Sequence, residues 1–249
     1  MSDKDEIRSA VRDSYASLAK NAELEMASCC GDSSPKTEKL LRYGYSEEEL
    51  SSLPESVVVM SDGCGNPTGL GMIKDGDVVL DLGAGGGIDV LLASRKVGSK
   101  GRVVGLDMTE EMVERARMNA KRMRVENVEF RLGQIEEIPL ADASVDVVIS
   151  NCVICLSPEK DRVFREMARV LRSGGRLAIA DEVALRPFTK EERTDSGKWC
   201  SCVTGAVTEK EYRSMLEGAG FRDVDVRRLR PTMEAGPGVY SAFVSGVKP

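Results

Sequence analysis

Val78-Val79-Leu80-Asp81-Leu82-Gly83-Ala84-Gly85-Gly86-Gly87 is the stretch on which the fold turns. An apolar run around one acid reads as a buried strand, and glycines 83, 85 and 87 as the turn that opens a helix. Close backbone approach and bare N–H groups at such a turn suit a nucleotide-like ligand. A dinucleotide fingerprint needs glycine at the sixth position of G-x-G-x-x-G. Here that position is Ile88, which favours a ligand without phosphates. Asp107 ends the next apolar run, twenty positions after Gly87, where an acid accepts hydrogen bonds from two ribose hydroxyls. An ordinary turn and a helix-capping Asp explain each signal singly, but not their spacing together with Asp81.

Outward from this turn the alternation is regular. Strands read at 77–82, 102–107, 127–132, 145–150 and 175–182, and helices near 87–97, 109–124 and 158–172. The second of these helices carries Val113, Ala116, Ala120 and Met123 on one face, and the third is punctuated by Ser157 as N-cap and Pro158. Such an order predicts an α/β fold with a mostly parallel sheet and helices on both faces. Thr208-Glu209-Lys210-Glu211 is a capping box opening a helix to about Gly218, and strands near 221–229 and 239–247 close the sheet. Upstream, residues 5–20 read as a helix and 21–36 as a loop carrying Cys29-Cys30-Gly31. A short helix over 45–53 has Ser46 as N-cap, and another helix is expected near Pro67–Ile73. Three parts follow: a covering segment over 1–70, a ligand-binding core over 71–185, and a C-terminal part over 186–249.

Composition narrows the function classes. A chain of 249 residues suffices for one large domain. The net charge of −6 argues against a general nucleic-acid binder. No apolar run reaches the length of a membrane span, and the polar Met1–Glu6 start reads as carrying no secretory signal. Seven cysteines, an odd number, then read as reduced thiols in the cytoplasm. With no histidine the commonest acid, base and metal ligand is missing, and thiolate is the soft ligand left. A monomer is expected.

The run from Asp77 to about Val183 resembles the class I S-adenosylmethionine-dependent methyltransferases, with their Rossmann-like sheet and an antiparallel closing strand. That resemblance implies Asp81, Gly83, Gly85 and Gly87 at the turn, Asp107 on the ribose and Met108 on adenine. It also implies Gln134, Ile135 and Glu136 at the adenine and Asn151 beside the methyl group. Core packing is the plain alternative for Met108 and Ile135.

Ligands bind at the carboxyl ends of strands in open α/β sheets. Cys152 follows the fourth strand, Cys200 and Cys202 follow the fifth, and Cys64 precedes the first, so three distant sulfurs can meet on that edge. On a helix Cys200 and Cys202 point to different sides, so one of them faces the site. Cys155 reads as a core thiol. Cys152-Val153-Ile154-Cys155 has a zinc-ligand spacing, but no second such pair is present. Gly63-Cys64-Gly65-Asn66-Pro67, Ser150-Asn151-Cys152-Val153-Ile154 and Cys202-Val203-Thr204-Gly205-Ala206 resemble the arsenite methyltransferases. Tyr45-Ser46-Glu47-Glu48-Glu49-Leu50 adds to the likeness. The resemblance implies Cys64, Cys152 and Cys202 as ligands of trivalent arsenic, and Cys29 or Cys30 as a relay thiol served by thioredoxin or glutathione. Cys155 departs from the Asn usual in that family. The match weakens beyond about Arg230, and the long C-terminal extension of some members has no counterpart.

The expected function is methyl transfer from S-adenosylmethionine to arsenite and methylarsenite. An arsenic lone pair held by three thiolates needs alignment rather than a base, which fits a chain without histidine. One rival is a methyltransferase for a small organic acceptor, which needs a base near Asn151. The other is a non-catalytic metalloid- or zinc-binding module.

Overall fold

A computed structural model describes residues 3–26, 35–229 and 238–249. Its elements in chain order are α1 (Asp3–Met26), α2 (Pro35–Arg42), α3 (Glu47–Ser51), α4 (Glu55–Val59), β1 (Val78–Leu82), α5 (Ile88–Val97) and β2 (Arg102–Asp107). There follow α6 (Glu110–Arg122), β3 (Val128–Leu132), β4 (Val145–Asn151), α7 (Lys160–Val170), β5 (Leu171–Ala184), α8 (Ser196–Cys200), β6 (Val207–Thr208), α9 (Glu209–Gly218), β7 (Arg222–Arg228) and β8 (Val239–Val247). The strands form one eight-stranded sheet in the order β3-β2-β1-β4-β5-β8-β7, with β6 beside β5. β8 runs antiparallel to both its neighbours, and the pairings among β1 to β5 are parallel.

The period of two along each strand makes the two cores. Leu80, Val104, Val148, Leu177 and Ile179 pack with Val163, Phe164 and Met167 of α7 and with Tyr212 and Leu216 of α9. Their neighbours Val79, Val103, Val147, Ile149 and Ala178 point the other way. They meet Leu91 of α5, Val113 and Ala116 of α6, and Leu40, Leu50 and Val57 of the N-terminal helices. No helix among the described residues is long and apolar enough to cross a membrane.

Several boundaries differ from the sequence expectation. The first helix runs on to Met26, and α2 begins at Pro35, so the expected loop over 21–36 is helical at both ends. Residues 27–34, with Cys29 and Cys30, lie outside the described residues. The segment from Pro67 forms only a short 3-10 turn, to Leu70, capped by the Asn66 side chain. α7 starts at Lys160 rather than Pro158: the Ser157 hydroxyl accepts the Glu159 N–H at 3.1 Å but donates to Glu136 at 2.6 Å. β5 is longer than expected because it begins directly at the end of α7.

Candidate functional site

The carboxyl ends of β1, β2 and β4 surround a cavity lined by Gly83, Gly85, Asp107, Met108, Ile135, Glu136, Asn151 and Cys152. α1 covers it with Arg8, Val11 and Tyr15. The glycine turn is shaped for a ligand. Gly85 has φ +50°, and a Cβ there would meet nothing within 4 Å, so bare backbone faces the cavity. Its N–H donates to Asp107 Oδ2 at 2.9 Å, while Asp107 Oδ1 accepts from the Thr109 N–H at 2.9 Å. Burial pushes the Asp107 carboxyl up against these backbone bonds.

Three of the expected cofactor residues, Asp81, Gly87 and Gln134, stand outside the cavity lining. Asp81 is buried beneath the turn, and burial beside Asp89 pushes its carboxyl well up. Gly87 is the N-cap of α5, and Gln134 does not line the cavity. Glu136 is 4% exposed and faces Arg8 Nε at 3.5 Å. Arg8 also pairs with Glu159, so α1 is fastened to the cavity's rim.

Asn151 organises the far wall. Its Oδ1 accepts the Cys64 N–H at 2.9 Å, and its Nδ2 reaches Gly65 O at 2.7 Å, Asp89 Oδ2 at 3.0 Å and the Tyr45 hydroxyl at 3.0 Å. Gly63 leaves room for this: a Cβ there would stand 2.4 Å from Asn151 Nδ2. The Gly63-Cys64-Gly65 segment is thereby laid against the end of β4.

Behind this wall the sulfurs gather. Cys64, Cys152, Cys155 and Cys202 are buried in one cluster with Val11, Trp199 and Ala180, and Cys200 is only packed against it. The Sγ atoms of Cys152, Cys155 and Cys202 lie within 4.8 Å of one another. The Sγ atoms of Cys64 and Cys152 and a Glu182 carboxylate oxygen form a second such group. Cys152 is therefore the hub, with Cys64 on one side and Cys202 on the other. Cys152 and Cys202 both hold left-handed backbone, at φ 57° and 60°, a conformation uncommon outside glycine. The Cys202 thiol points at the Cys152 carbonyl at 3.5 Å.

Burial keeps these groups protonated. It pushes the Cys64 thiol up to about 12. The Cys155 and Cys202 thiols pull Cys152 down by hydrogen bonding, but Cys64 and burial outweigh them and the net is upward. Three further groups had no signature in the sequence. Glu182, 7% exposed, is held by the Ser241 hydroxyl at 2.8 Å, and burial pushes its carboxyl up to about 7. Asp181 accepts the Cys155 N–H at 3.1 Å. Lys160 donates to the Cys155 carbonyl at 3.0 Å, and burial brings its ammonium down to about 8. An acid pair closing a strand and a Lys opening a helix follow no spacing that marks a site.

Residues 73–220 match the family profile described as a methyltransferase domain. The X-ray structure of an arsenic(III) S-adenosylmethionine methyltransferase from Chlamydomonas reinhardtii superposes with a TM-score of 0.71 at 31% identity, covering 81% of this chain and 72% of that one. The chain belongs to the arsenite methyltransferase family. Among its curated relatives, the arsenite methyltransferase of Halobacterium salinarum is 43% identical over 90% of this chain and 59% of its own length. The one of Homo sapiens is 34% identical over 87% of this chain and 58% of its own. The chain thus spans about three-fifths of the length of the curated relatives it matches.

Proposed function

We propose that this methyltransferase-family chain transfers the methyl group of S-adenosylmethionine to trivalent arsenic, with arsenite held by Cys64, Cys152 and Cys202 and methylarsenite, which keeps its As–C bond, held by two of them. The observation that carries the reading is the placing of both Cys64 and Cys202 sulfurs within 4.8 Å of the sulfur of Cys152, the residue that lines the glycine-turn cavity. Soft trivalent arsenic matches soft thiolates. As each As–S bond forms, an As–O bond breaks, and the thiol proton leaves with the oxygen as water. High thiol pKa values therefore do not prevent binding.

The donor fits the cavity: Gly85 offers open backbone, Asp107 an acid at the strand end, and Met108 and Ile135 apolar walls. Bound there, S-adenosylmethionine supplies an electrophilic methyl on a sulfonium, so the acceptor needs only a lone pair. The chain's work is to hold arsenic pyramidal with its lone pair turned to the cavity, while α1 excludes water. Alignment of this kind supplies a large part of a barrier reduction, and no base is required.

Methyl transfer raises arsenic to the pentavalent state. Two of the site thiolates then give it two electrons, closing a disulfide as arsenic returns to trivalent. Cys29 or Cys30 takes over that disulfide by exchange and passes it to thioredoxin or glutathione in a reducing compartment, which we take to be the cytoplasm.

The test incubates the protein with labelled S-adenosylmethionine, arsenite and a thiol reductant, and follows methylated arsenic. Near-complete loss of the first methylation is expected for Cys152→Ser and for Cys202→Ser. Full activity in both variants would remove the three-thiolate site. For the relay, rapid-quench mass spectrometry after one turnover is expected to find a disulfide involving Cys29 or Cys30.

A further inference from the structure

Four sulfurs crowd one place, and the proposed arsenic triad uses three. The fourth, Cys155, is fully buried and does not line the cavity, whereas Cys152 does. Yet its Sγ lies within 4.8 Å of both Cys152 and Cys202. We infer that Cys152, Cys155 and Cys202 form a second thiophilic site, behind the cavity, for a divalent d10 cation of the zinc and cadmium kind.

Geometry supports it first. Thiolates about 2.3 Å from a zinc ion stand about 4 Å apart in a trigonal arrangement, inside the observed limit. Two of the three ligands are fixed in advance. The left-handed backbone of Cys152 is pinned by its N–H on Ala180 O at 2.8 Å, and that of Cys202 by its N–H on Trp199 O at 3.0 Å.

Charge supports it second. Three thiolates around trivalent arsenic are neutral; around a divalent ion they carry one negative charge. The inner triangle has cations beside it. The buried Lys160 ammonium donates to the Cys155 carbonyl and lies 5.4 Å from the Trp199 ring centroid, and the Arg193 guanidinium lies 5.9 Å from the same ring. Asp181, on the Cys155 N–H, stands against these cations, and Glu182 lies within 4.8 Å of the Cys64 and Cys152 sulfurs. The buried ammonium thus stands at Cys155, the one ligand that belongs to the inner triangle alone.

Binding is simple exchange: each S–metal bond that forms releases one thiol proton to solvent, with no change in oxidation state. An ion in the inner triangle occupies Cys152 and Cys202, so it excludes arsenic. That inhibitory consequence rests on the proposed function; the binding itself does not.

The experiment titrates the reduced full chain with cadmium ion, following thiolate-to-metal charge-transfer absorption and proton release. One ion per chain with three thiolates is expected. Cys155→Ser and Cys155→Ala should each weaken it by more than the roughly 10–100-fold that a lost outer-shell partner costs, while Cys64→Ser leaves it unchanged. Should Cys64→Ser weaken cadmium binding while neither Cys155 variant does, the ion uses the arsenic triad and the inner site is overturned. Arsenite methylation by the same preparations is read in parallel. Its absence beside an intact cadmium result would defeat the proposed function alone.

Discussion

At Asn151 one amide ties together the Gly63–Gly65 segment, Tyr45 and Asp89, so the position of Cys64 depends on this side chain. Gly63→Ala would set a Cβ about 2.4 Å from that amide, forcing the segment outward. Misplacing a reacting group by an ångström costs on the order of 10²-fold in rate. Such a loss of arsenite methylation is expected in a steady-state assay, with far-ultraviolet circular dichroism unchanged. Glu182 gives a second prediction. Burial raises its carboxyl from 4.5 to about 7, so between those values the native state binds more protons than the unfolded one. The contribution of Glu182 to stability is therefore full below pH 4.5 and is lost as pH rises to about 7, by on the order of 3 kcal/mol. Glu182→Gln should flatten this part of a chemical-denaturation profile; an unchanged slope would reject the assignment. The sequence marked Asn151 and Cys64 through their motifs. It placed Cys155 near the site by spacing without giving it a role, and it did not mark Glu182, because that follows from which way a side chain leaves a strand.

Elements were legible where punctuation is local. The Ser46–Glu49 and Thr208–Glu211 capping boxes both form as their spacing requires. Thr208→Ala should cost about 1 kcal/mol in thermal or urea unfolding without affecting methylation. α4 was not legible: Val57-Val58-Val59 is a β-branched run, which favours a strand, yet it is helical because all three side chains are buried there. α2 had a signal, Pro35 at its first position, obscured by the polar residues before it. α1 was legible as a helix within a covering segment, but the clasp that holds it was not. Arg8, pairing with Glu136 and Glu159, fastens it over the cavity. Part-exposed ion pairs of this kind are worth on the order of 1 kcal/mol. Arg8→Ala should therefore weaken S-adenosylmethionine binding several-fold. It should also speed hydrogen exchange along α1; a change in neither quantity would remove its role as a clasp.

Across the whole molecule, the thiol cluster is assembled from three separated stretches: the segment before β1, the end of β4 with the turn after it, and the turn after α8. The sheet was legible because alternation is written within each strand, but the closure of the site depends on the packing of these pieces and α1 on one another. That closure has a chemical consequence. The thiolate is the reactive form of cysteine, and Cys64, Cys152, Cys155 and Cys202 are all buried with thiols held above their ordinary range. Cys200, at the end of α8, is only partly covered. Under native conditions iodoacetamide should therefore label Cys200 first among the described cysteines. The other four should lag together, since each needs the same opening of α1 and its neighbours. Val11 packs in the cluster itself and Tyr15 against it, so Arg8→Ala should speed labelling of the four and leave Cys200 unchanged. Peptide mapping that found Cys64 labelled as fast as Cys200 would show the cluster open, and arsenic would then reach it without any movement of the helix.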